Sequence, residues 1–202
     1  MIDIKSSFKE QGDDVHLLII HSTKDALAQQ AVDLLKKNVE GKGILIEERR
    51  IATLQDLVAP HCSAQNPNIV LIVAHGDKKT NRLWLFGDTS QDGRAIGTDI
   101  GLLKTALDGL LDDCLCLFGV CHMGQDLLKT AIVDQGGALA CVAPKPGCTV
   151  SVSDIADEFA ELLKEIQNRK QLRVGVDEID CLLKKTFSAD LYNRMALYTA
   201  AG

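Results

Sequence analysis

No stretch of this 202-residue chain approaches the ~18 consecutive apolar residues that cross a bilayer, so no membrane anchor is expected. Positive charge is in deficit, with 22 Lys and Arg against 28 Asp and Glu and a net charge of −6. Nucleic acid and anionic membranes both call for basic patches, so neither is expected as a partner. There is no C-x-x-C pair and no zinc-like ligand cluster among the seven cysteines. Several cysteines lie inside apolar runs and read as small hydrophobes, a pattern that suits a reducing compartment and a cytoplasmic location. The opening "MIDIKSSFKEQGDD" is polar and acidic and does not read as a signal peptide. Neither G-x-x-x-x-G-K-S/T nor a G-x-G-x-x-G after a strand occurs, which removes the common nucleotide-binding fingerprints. Repeats, low-complexity tracts and linkers are missing too. One domain over residues 1–202 is expected, with 1–14 as a polar N-terminal segment.

What is present is alternation. Apolar runs at 15–20, 43–48, 68–74, 114–120 and 138–143 read as strands. Between them lie segments of helical spacing: 25–37, a short helix at 51–59, one after the N-cap candidate Thr98, one after Cys121, and 153–170 capped by Ser153. Residues 82–97 read as a small hairpin, because Gly87-Asp88 and Asp92-Gly93 are turn signals. The last forty residues predict one more helix and a final strand at 194–200. Apolar strands alternating with amphipathic helices predict a parallel sheet covered on both faces. The carboxyl edge of such a sheet is the functional one.

His21, His75 and Cys121 each fall just past a predicted strand, and so at that edge. With neighbouring strands about 4.8 Å apart, His75 and Cys121 come within reach of each other if their strands pair. Cys121 stands between a strand and a helix, a setting in which the positive end of the helix dipole favours a thiolate. His75 supplies the proton that a leaving amine requires. Gly76 lets a backbone N–H approach a developing oxyanion, with the Cys121 amide as second donor. Together these groups point to acyl transfer, most simply amide hydrolysis without metal or cofactor. Cys114, Cys116 and Cys141 lie within strands and read as structural. Cys62, Cys148 and Cys181 have no constellation around them. His122 is the last histidine, so the Ser-type elbow order with a downstream histidine is excluded.

Strand-His-Gly followed 46 residues later by a strand ending in cysteine resembles the caspase-like (clan CD) cysteine peptidases. "HGDKKTNRLWLFGDTSQDG", "LFGVCHMG", "GALACVAP" and "YNRMALYTAAG" follow the order and spacing of the bacterial CHAT-domain branch over residues 15–202. The resemblance implies a three-layer α/β/α sandwich with a mostly parallel sheet in flavodoxin-like core order. It also implies a cysteine endopeptidase with a His75-Cys121 dyad, working without cofactor on a protein or peptide substrate. A regulated signalling or defence system with a regulatory protein partner is part of the same expectation. "CHMG" is also similar to the Cys-His-Ser-Gly of metacaspases, in which an aspartate two residues before the cysteine binds a basic side chain. Gly119 stands there instead, so basic specificity is not implied. By position, His21, Asp77 and Gly119 are candidates for the substrate pocket.

Two other readings stand beside this one. Cys121-His122 resembles the adjacent pair of the DJ-1/PfpI-like hydrolases, with Asp25 as its acidic partner, although Met123 replaces their glycine. Alternatively, the sheet edge is a docking surface of a catalytically inactive caspase-like module. An active nucleophile predicts that iodoacetamide modifies Cys121 faster than any other cysteine near neutral pH. Peptide mapping by mass spectrometry checks this, and labelling of Cys62 or Cys148 with Cys121 protected would count against it.

Overall fold

The computed structural model describes residues 15–58, 67–76, 83–85, 99–122, 126–169 and 176–199. β1 (Val15–Ser22) is buried along its whole length, as a strand covered on both faces must be. It leads into α1 (Ala26–Val39), whose N-cap is Asp25. β2 (Ile44–Ile51), α2 (Leu54–Val58) and β3 (Ile69–Gly76) follow. β4 (Leu83–Trp84) pairs antiparallel with the end of β3, His75 opposite Trp84 and Gly76 opposite Leu83. The remainder of the expected 82–97 hairpin lies outside the described residues.

α3 (Ile100–Ala106) is capped by Asp99, whose Oδ1 accepts from the Leu102 amide at 2.7 Å. The expected cap, Thr98, lies outside the described residues. β5 (Leu115–Val120) ends at a turn, and α4 (Asp126–Leu128) continues as a π-helical segment, Lys129–Asp134. After β6 (Ala140–Pro144), a second π-helical segment, Asp154–Phe159, runs into α5 (Ala160–Asn168). The cap here is not Ser153. Ser151 and Asp154 cap reciprocally: the Asp154 amide donates to Ser151 Oγ at 3.1 Å and the Ser151 amide to Asp154 Oδ2 at 2.8 Å. Two helices rather than one complete the chain, α6 (Val176–Thr186) and α7 (Ala189–Arg194), before β7 (Met195–Thr199). The second helix escapes the sequence reading because it is only six residues long.

Among the described residues the sheet runs β2-β1-β3-β5-β6-β7, parallel except for β7, which is antiparallel to β6. The five parallel strands have the flavodoxin-like order that the family resemblance implied. Alternate residues of the strands feed two separate cores. Leu17, Ile19, Leu71, Val73 and Leu117 pack with α1, α5 and α6. Leu18, Ile20, Val70, Ile72 and Phe118 pack with α2, α3 and the first π-helical segment. The architecture is a three-layer α/β/α sandwich. No described helix is long and apolar enough to cross a membrane.

The edge strand β2 carries charge, which discourages pairing with another chain. Its Glu48 accepts from Lys36 Nζ of α1 at 2.6 Å and from Arg50 Nε at 2.5 Å, and contacts His21 Nε2 of β1 at 2.9 Å. Burial alone would raise this carboxyl. The bonds to Lys36, Arg50 and His21 outweigh burial and hold it at about 2, against an ordinary 4.5. A depressed carboxyl stabilises the fold above its unfolded pKa, and that contribution fades as pH falls through the folded value. Glu48→Gln is therefore expected to cost about 2 kcal/mol at pH 7. The gap from the parent should close as pH drops from 4.5 toward 2. Urea denaturation across that range measures it, and a gap that stays constant would contradict the assignment.

Candidate active site

β3 and β5 pair in parallel from Ile69 opposite Leu115 to Ala74 opposite Val120. One further step brings His75 opposite Cys121. Side chains alternate along a strand, so both residues continue the face that carries Val73 and Gly119. Both line one cavity of about 300 Å³ at the carboxyl ends of the strands, between the sheet, α1 and the 150–155 segment. The structure thus brings His75 and Cys121 to the wall of the same cavity.

A third group joins them from the end of β1. His75 Nε2 stands 3.4 Å from Asp25 Oδ1, with the histidine side chain 58% exposed and the aspartate 7%. The same Oδ1 accepts from the amides of Leu27 at 3.1 Å and Ala28 at 2.9 Å, as the N-cap of α1. The helix start therefore fixes the carboxylate that faces the imidazole. Asp25 Oδ2 is buried without a hydrogen-bond partner. In the adjacent-pair reading Asp25 would serve His122. In the structure it faces His75 instead.

Residues 121–122 form a turn, and the described part of the following helix is Asp126–Leu128. The amide that reaches the sulfur belongs to Val150, at 3.4 Å, and Sγ also contacts the Val150 carbonyl at 3.6 Å. The 148–152 segment is fastened from the far end of the chain. Arg194 donates to the Thr149 carbonyl and to the Asp154 carboxylate, at 3.1 Å to Oδ2 and 3.4 Å to Oδ1. Val150, Asp154 and Arg194 had no local signal in the sequence, because their relation to Cys121 exists only across the fold.

The remaining candidates divide. Gly119 lines the cavity, but a Cβ there would come within 2.8 Å of Ile155 Cδ1, so the glycine admits Ile155 rather than leaving open space. His21 is not part of the cavity wall, which corrects its assignment to the substrate pocket. It is fully buried, turned to Glu48, with Nδ1 3.2 Å from the Ser22 carbonyl. Asp77 lies outside the described residues. His122 adopts a positive φ of 63°, donates its amide to the Cys148 carbonyl at 2.9 Å and buries Nδ1 without a partner. It does not line the cavity.

Cys114, Cys116 and Cys141 are buried, as expected of structural thiols. A hydrogen bond with Cys116 and then burial push the Cys114 thiol well up, and burial does the same at Cys141. Cys181 is exposed on α6. Among the described residues no group of three or more His, Cys, Asp and Glu side chains could hold a metal ion.

Gly76 is required by close approach: a Cβ there would collide with the carbonyl oxygen of Cys121. Since that neighbour is backbone, the strand ends would have to separate. Gly76→Ala is expected to destabilise the fold by about 1–3 kcal/mol and to change the iodoacetamide rate of Cys121. Denaturation and alkylation kinetics read both effects, and an alanine variant with parental stability would contradict the contact.

No family model matches the chain, and no curated protein matches it. Among solved structures, it is similar to a short-chain flavodoxin associated with a bacterial microcompartment. The match has 12% identity and a TM-score of 0.43 and covers 76% of this chain and 99% of that one.

Proposed function

We propose that this chain is a cysteine endopeptidase of the caspase-like kind, with Cys121 as nucleophile and His75 as its acid–base partner. The observation that supports this most is the placement of Cys121 and His75 in one cavity at the carboxyl ends of neighbouring parallel strands, with Asp25 against the imidazole. His75 takes the thiol proton, and Sγ attacks the carbonyl carbon of a bound peptide bond. The carbonyl oxygen gains the negative charge, for which the amides of Gly76 and Cys121 are the proposed donors. Collapse expels the amine, which leaves with the proton from His75, and a thioester remains. His75 then deprotonates one water. The resulting hydroxide attacks the thioester, releases the new carboxylic acid and restores the thiol. Asp25 holds the imidazole ring in place through these exchanges. The substrate is a protein or peptide, and no step draws on a cofactor.

The adjacent-pair reading has less support, since His122 is turned away from the cavity that Cys121 lines. A non-catalytic docking role is the second reading. What favours it is the engagement of the Cys121 sulfur with both main-chain groups of Val150. An unbiased peptide-library cleavage screen, followed by assays of a responsive peptide, separates them. Cys121→Ala should abolish cleavage, and His75→Ala should reduce it by roughly 10²-fold or more. His122→Ala should keep a substantial fraction, with circular dichroism confirming the fold of each variant. An inactive His122→Ala beside an active His75→Ala would install the adjacent pair instead. No cleavage of any library member would leave the docking reading.

A further inference from the structure

Apart from Asp25, Ser151 and the His75–Cys121 pair, the described walls of the cavity are apolar. Leu27, Ala28 and Ala31 of α1 form one side, and Val150, Val152 and Ile155 form the other, with Val73 and Ala74 on the sheet. Its volume of about 300 Å³ holds one large side chain rather than an extended ligand. We propose that this cavity receives an uncharged apolar side chain, such as that of leucine or phenylalanine, from the residue whose carbonyl Cys121 attacks. The proposal rests on the peptidase reading and adds to it the class of substrate.

Charge decides against the alternatives. A substrate carboxylate would enter an apolar space with Asp25 on its wall, so it would lose water and meet repulsion together. A lysine or arginine would also have to give up water, and the carboxylate it would seek is already committed. Asp25 Oδ1 receives two helix amides and faces His75, and Oδ2 is sealed from the cavity's solvent. Position 119, on the cavity wall, carries no side chain, and the end of Ile155 fills its place. Among the described wall residues, Asp25 and His75 already face each other, whereas each buried methylene of an apolar side chain is favourable. Discrimination of at least tenfold is the scale that hydrophobic pockets achieve.

The test uses five peptidyl chloromethyl ketones that differ only in the residue next to the ketone: leucine, phenylalanine, alanine, aspartate or arginine. Sγ of Cys121 bonds to the methylene carbon, chloride leaves, and the thiol proton passes to buffer. Rates come from intact-mass spectrometry, the site from peptide mapping, and each rate is normalised to that of the same ketone with glutathione. Leucine or phenylalanine is expected to modify Cys121 at least tenfold faster than aspartate or arginine. An arginine or aspartate ketone that equals or exceeds them overturns the apolar assignment and leaves the peptidase reading standing. Absence of Cys121 modification by every ketone, with iodoacetamide labelling it normally, takes down both. Ala28→Leu narrows the cavity and should shift the preference from leucine toward an alanine ketone. An unchanged preference would mean the side chain binds elsewhere and would also overturn the proposal.

Discussion

The parallel ladder between β3 and β5 is the constraint on which the candidate site depends. Its register ends at Ala74 opposite Val120, so His75 and Cys121 are the next residue of each chain segment, and both line the same cavity. A slip of one residue would turn one of the two to the opposite core. That slip is opposed by both hydrophobic cores at once, since Leu71 and Leu117 serve one and Ile72 and Phe118 the other. Gly76 adds a local lock, because only a residue without Cβ lets the two strand ends touch at the Cys121 carbonyl. The packing that stabilises the sheet is thus the same packing that brings the thiol and the imidazole to one cavity.

Two further groups refine that alignment, and each has a structural duty besides. Asp25 starts α1 and faces His75 with the same oxygen, so the imidazole is tied to the start of that helix. Arg194, at the end of α7, fastens the segment whose Val150 grips the sulfur. The first contact is set by a helix cap immediately after β1. The second spans more than forty residues of chain and depends on β6 and β7 pairing correctly. Cys121 therefore sits between a rigid side and a side that only the completed fold supplies.

His21 and His75 show how position in a strand misleads when taken alone. Both are histidines at the carboxyl ends of parallel strands, and both read as edge residues. β1 has the charged edge strand as one neighbour, and Glu48 with Lys36 captures His21 inside the protein. β3 has β5 as a neighbour, and His75 stays at the cavity. The identity of the neighbouring strand, not the residue, separates a structural histidine from a candidate acid–base group.

The alternation of apolar strands with amphipathic helices determined the α/β class by itself, since periodicity is a local property that burial on two faces demands. The placement of His75 and Cys121 just past two predicted strands made their common cavity legible too, once their strands were taken as neighbours. Helix ends were less legible: Ser153 yields its expected role to the Ser151–Asp154 pair. Capping depends on which side chain the local backbone lets fold back, and composition does not state it. Strand order, the turn of Asp25 toward His75, the Val150 grip on sulfur and the withdrawal of His21 and His122 were decided only by tertiary structure. Each joins residues far apart in the chain or chooses one of two faces, and that choice is made when the layers pack.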